Sequence, residues 1–168
     1  MSFLQVFLVL LLTGAALIFD VSSGKIPNVL AAAGVMAGLP LQLGMWGPKG
    51  AAGWALGVLA APAVLGVLFW FRMMGAGDIK LLCAIGALAG PGMCLRCILR
   101  SLLIGGALAL VLALKRGILA ARLGALVSYL RRLSRTRAWA PYSSSVPASA
   151  RFPFALPVFL SVLWEVFL

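Results

Sequence analysis

The feature that most constrains this chain is its succession of long uncharged runs. Residues 2–19, SFLQVFLVLLLTGAALIF, hold eighteen residues without a charge. Crossing a bilayer as a helix takes ~20 predominantly apolar residues, since in lipid every backbone N–H and C=O must be paired within the segment. Further runs follow at intervals of about one helix length. Of the 168 residues, 64% are apolar and 10% are charged. Soluble domains sit at ~45–50% and ~25%. A soluble globular enzyme is excluded, and so is intrinsic disorder, which requires low hydrophobicity. Six spans would use roughly 120 residues, so the expectation is one membrane domain over residues 1–168. The fold class is all-α: about six transmembrane helices, with an amphipathic basic helix on the membrane surface.

Helix one is expected over 2–19, ending at Asp20. It reads as a retained span rather than a cleaved signal, because MSFLQ lacks a basic start. A short loop, Val21 to Lys25, leads to Ile26-Pro27-Asn28, which opens helix two as far as Met45. Gly47 to Gly50 form a turn, and helix three runs from Ala51 to Phe71 with Pro62 inside it. The loop Arg72–Lys80 precedes helix four at Ile79–Gly90. Pro91-Gly92 is read as a break, and helix five as Cys97–Leu114. Residues 115–151 carry eight Lys/Arg, with Leu119, Leu123, Leu126, Leu130 and Leu133 at helical spacing. That pattern suits a helix lying on a membrane with anionic headgroups. A linker, 138–150, leads to a last short span over 152–168.

Fourteen Lys+Arg against three Asp+Glu give a net charge of +11. Nucleic acid is not expected as a partner, because the charge lies mostly in loops between apolar runs, where it encodes topology. The loops after helices one, three and five hold eleven basic residues, and those after two and four hold three. The positive-inside rule puts the odd loops in the cytoplasm. That vote rests on the long 115–151 loop, without which the sides are equal. Cys83, Cys94 and Cys97 read as apolar packing residues. No metal site and no cofactor are expected, since no His and no second Cys pair completes a zinc set.

With three acids in the chain, each needs an account. Glu165 lies near the C-terminal end of the last span and is read as an interfacial charge reaching headgroups. Asp20 and Asp78 each stand where an apolar run meets a short loop, on the side assigned to the cytoplasm. A carboxylate at membrane depth costs a few kcal/mol. Singly, Asp20 could end helix one beside Lys25, and Asp78 could cap helix four. As a pair they have the composition of an aspartic dyad, one carboxylate taking a proton from water and the other donating to the scissile carbonyl. Gly75-Ala76-Gly77 before Asp78 leaves room for a peptide backbone and permits positive φ. With no His, Ser–His and Cys–His machinery is excluded.

Phe19-Asp20-Val21-Ser22-Ser23-Gly24-Lys25-Ile26-Pro27-Asn28 resembles the first signature of the type IV prepilin peptidases, an acid followed by Ile-Pro-Asn. Gly75-Ala76-Gly77-Asp78-Ile79-Lys80-Leu81 resembles their second, GxGD with an apolar–Lys pair. Arg151 to Pro157 is a weaker echo of their Pro-aromatic segment. The resemblance implies a GxGD-type membrane aspartic peptidase of a bacterial or archaeal cytoplasmic membrane, cleaving prepilin or pseudopilin leaders near the cytoplasmic face. It implies Asp20 and Asp78 as the catalytic pair, with Gly75, Gly77, Lys25, Pro27, Asn28 and Lys80 binding substrate or shaping the loops. The large cytoplasmic insertion of full-length members, often with two Cys pairs, is missing between the first two spans. The chain looks like the short form associated with tight-adherence (Flp-type) pili, so leader cleavage without methylation is expected. Self-association remains open. Two alternatives are a small proton- or cation-coupled transporter using the same aspartates, and a non-catalytic membrane subunit.

Overall fold

The computed structural model describes residues 2–71, 74–115 and 153–167, together with positions 117, 124 and 127. It holds six named helices: α1 (Phe3–Ser23), α2 (Asn28–Trp46), α3 (Pro48–Trp70), α4 (Ala76–Ala89), α5 (Pro91–Lys115) and α6 (Ala155–Phe167). No strand occurs among the described residues. α1, α2, α3 and α5 are each long and apolar enough to cross a membrane. Large apolar side chains such as Phe3, Ile18, Val29, Met36, Trp70 and Leu103 point outward. In water such a surface would be a liability, whereas in lipid it is the matching exterior. The protein is a polytopic all-α membrane protein.

The expected six spans resolve into four long helices and two short ones. α4 has 14 residues and α6 has 13, below the ~20 a lone span requires. α4 is packed on by α1, α2, α3 and α5. Leu81, Leu82 and every residue from Ala84 to Leu88 are buried. A helix sheathed in protein need not match the thickness of the bilayer. Where α3 and α4 cross, the backbones touch: a Cβ on Gly57 would lie 2.0 Å from the Gly86 carbonyl oxygen.

Several boundaries differ from those expected from the sequence. α1 continues through Asp20 for three residues, because Val21-Ser22-Ser23 contains no breaker. It stops at Gly24, whose φ of 63° an L side chain would resist and whose N–H caps the Asp20 carbonyl at 2.9 Å. α3 begins at Pro48 and α5 at Pro91, each directly after a positive-φ glycine, Gly47 or Gly90. A proline in the first helical turn loses only an N–H that would be unpaired anyway. Two helices do part here, at Gly90, and Pro91-Gly92 opens the second of them. Arg96 and Arg100 lie within α5, not in a loop.

Glu165 is also reassigned. Its side chain is 12% exposed and ion-paired with Arg96 and Arg100 of α5, so it joins α6 to α5 rather than reaching headgroups. Contacts at the two ends establish an up-and-down order. Gln5 Nε2 donates to the Leu88 carbonyl at 3.1 Å at the end that also holds the Glu165 cluster. The opposite end gathers the close of α1 and the starts of α2, α4 and α6. The expected surface helix over 115–151 and the linker over 138–150 fall almost wholly outside the described residues.

Candidate active site

Asp20 occupies the last turn of α1 and is half-buried. Its Oδ2 accepts a hydrogen bond from the Ala155 backbone N–H at 3.1 Å. Ala155 is the first residue of α6, where helix N–H groups lack partners within the helix. Lys25, which could have paired with Asp20, is exposed, and among the described residues the only ion pairs are those of Glu165 with Arg96 and Arg100.

Asp78 lies in the first turn of α4, ahead of the apolar stretch from Ile79 and outside the four long spans. It is not the N-cap, a position held by Gly75. It sits three residues on, with its carboxylate beside the Gly75 backbone. Burial pushes the Asp78 carboxyl up to about 6, and the nearby Asp20 charge adds to the rise; the Gly75 backbone N–H opposes both. The two aspartates are thus held on separate helices at one end of the bundle, and the charge of one is felt by the other.

Of the two glycines of the GAGD segment, Gly75 is the one whose small size matters, since it leaves room beside the Asp78 carboxylate. Neither adopts positive φ, contrary to the conformational role expected for them. A Cβ on Gly75 would stand 3.0 Å from Asp78 Oδ2, and one on Gly77 would touch Ile26 at 3.5 Å. Gly77 faces Ile26 at a distance that a Cβ would meet as ordinary van der Waals contact, where α4 meets the Ile26-Pro27-Asn28 segment. Pro27 is the N-cap of α2 and has no side-chain cap bond to give. Lys80 Nζ donates to Asn28 Oδ1 at 2.9 Å, adding a polar clasp between the two segments. Six of the eight residues singled out from the sequence therefore meet along this seam or at the carboxylates. Lys25 is exposed and Pro27 half-buried in the connection between α1 and α2.

One participant has no signature in the sequence. The Ala155 N–H is a backbone donor, so no residue type announces it. The only signal is the Pro153–Pro157 pattern at the start of the last helix.

The fold and this end of it define a class: a multi-helix membrane protein with two half-buried carboxyls converging from different helices. Comparison with family models matches the type IV leader peptidase family over residues 6–110, more than half of the chain. The chain belongs to that family and is a membrane peptidase. Comparisons with curated proteins and with solved structures gave no match. The matched segment contains Asp20, Asp78 and the Lys80–Asn28 clasp, but ends before α6.

Proposed function

We propose that the protein is an aspartic endopeptidase that removes the leader from prepilins or pseudopilins at the cytoplasmic face of the cell membrane. The observation carrying this reading is the pairing of Asp20 and Asp78: two carboxyls from separate helices at one end, with burial and then the Asp20 charge raising Asp78. Both stand at a short loop that the charge distribution assigns to the cytoplasm.

The chemistry follows from their difference. Asp78, raised to about 6, is the better proton carrier near neutrality and donates to the oxygen of the scissile carbonyl. Asp20 takes a proton from water as the water oxygen bonds to the carbonyl carbon. Collapse of the tetrahedral species breaks the C–N bond: the leaving amine takes the proton now on Asp20, while one hydroxyl of the tetrahedral carbon returns its proton to Asp78 as the carbonyl re-forms. No nucleophilic side chain is consumed. A leader peptide with positive charge would be drawn by the carboxylates and by anionic headgroups around them.

The test is cleavage of a prepilin in membrane vesicles by Asp20→Asn and Asp78→Asn, made separately. General acid–base groups contribute ~10²–10⁴-fold each, so both variants should lose cleavage by at least about a hundredfold. Near-normal cleavage by either would remove the reading.

A further inference from the structure

We propose that the Ala155 backbone N–H is a positioning group for hydrolysis, so that the first turn of α6 belongs to the active site. The inference rests on the two-aspartate reading above. Asp20 lies near the C-terminal end of α1, where the aligned peptide dipoles are unfavourable to a carboxylate. Among the described residues its carboxylate has one side-chain hydrogen bond, the 3.1 Å bond from Ala155. That donor comes from the N-terminus of another helix, where dipole and free N–H groups favour an anion. The bond answers a need on each side. Ala155 is fully buried, so without Asp20 its N–H would be an orphan in an apolar setting.

The packing shows how the donor is brought there. On α5, Gly105 has no side chain to hold α6 away. A Cβ at that position would stand 3.3 Å from Pro157 Cγ and 3.4 Å from Phe154 Cε2. Phe154 and Pro157 bracket Ala155 and lie directly on α5. At its far end α6 is tied to α5 through Glu165 with Arg96 and Arg100. The helix is thus located at both ends, and its N-terminal turn sets which way the Asp20 carboxylate faces.

The test replaces Ala155 with lactic acid by nonsense suppression in the full chain. The ester deletes the N–H and leaves the side chain and shape intact. The expected result is a fall in kcat for prepilin cleavage of about tenfold or more, with KM within about twofold, because small misplacements of a reacting group weaken the chemical step more than binding. Glu165→Gln loosens the other end of α6 and reports a merely structural role; it should lower the melting temperature and keep kcat. An Ala155→lactic acid variant with unchanged kcat, or with kcat and KM altered no differently from Glu165→Gln, overturns the proposal. A second measurement does not depend on activity. The chain has two aspartates, so carboxyl-labelled aspartate in an Asp78→Asn background reports Asp20 alone. Its infrared carboxylate band should shift when the ester is introduced, and a fixed band overturns the proposal. Should Asp20→Asn retain cleavage, the peptidase mechanism fails instead, and the two failures are distinct.

Discussion

Lys80 Nζ donates to Asn28 Oδ1 at 2.9 Å, closing a loop of 52 residues between α4, just past its first turn, and the start of α2. Both residues are exposed, so this bond contributes little to stability, about 1 kcal/mol or less. Its value lies in register. It ties the segment just after Asp20 to the turn that carries Asp78, beside the Gly77–Ile26 contact. Lys80→Met and Asn28→Ala are each expected to slow leader cleavage by about tenfold while shifting the melting temperature by no more than a few degrees. The double variant should be little worse than either single one, as is usual for partners in one bond. Losses that simply multiply would show that the two residues act apart.

The contact between α3 and α4 leads to a second prediction. A Cβ at Gly57 would come within 2.0 Å of the Gly86 carbonyl oxygen, and one at Gly86 within 2.1 Å of the Gly57 carbonyl oxygen. These are backbone atoms of two packed helices, so relief requires the helices to part. Gly57→Ala and Gly86→Ala should each destabilise by about 1–3 kcal/mol or more. Gly53 and Gly66 lie on the same helix α3, where an added Cβ would meet no atom within 4 Å. Gly53→Ala and Gly66→Ala should be neutral, or stabilising by up to about 1 kcal/mol through helix propensity. Thermal unfolding in detergent across the four variants checks the contrast. Equal effects at all four positions would mean that the α3–α4 approach is looser than described.

Much of the candidate site is legible in the sequence because the chain has so few acids. With three carboxyls in 168 residues, Asp20 and Asp78 stand out, and the spacing of Ile-Pro-Asn and GxGD marks the segments that meet. What surrounds them is less readable. Hydropathy registers apolar runs but cannot tell a side facing lipid from a side facing protein, so the burial of α4 from Ala84 to Leu88 leaves no trace in it. The Pro91 start of α5 is hidden because the same proline ends or begins a helix depending on its neighbours. Placing Arg96 and Arg100 in a loop then conceals the partners of Glu165, which lie 69 and 65 residues away from it. Backbone donors leave no mark in composition at all, so the Ala155 bond emerges only from the fold.

The Glu165 cluster makes a graded prediction. Removing one member of a buried ion pair leaves the other charge uncompensated, and exposure reduces that penalty. The side chain of Arg96 is 55% exposed and that of Arg100 34%. Arg96→Gln should therefore lower stability less than Arg100→Gln, and Glu165→Gln, which leaves two cations facing each other, should cost most, about 1–3 kcal/mol. The order of melting temperatures checks this. Arg96→Gln falling below Arg100→Gln would reverse the assigned geometry.

Asp78 ties stability to pH in a direction opposite to that of most acids. Unfolded, its carboxyl loses its proton near 3.8, whereas in the fold burial and then the Asp20 charge hold the proton to about 6. Between those values the folded state binds more protons than the unfolded one. Stability therefore falls as pH rises through this window, and above it the fold carries the cost of an ionised Asp78 in full. That cost is on the order of 1–2 kcal/mol once partial exposure is allowed for. Asp78→Asn removes the titration while keeping the shape. At pH 7.5 the variant should melt above the parent protein despite losing cleavage, and by pH 4 the two should converge. Parallel melting curves over pH 4 to 7.5 would show that Asp78 is not confined as described; a parent that gains on the variant with rising pH would reverse the sign. A site that stores such a cost is the kind that trades stability for a carboxyl able to donate near neutrality.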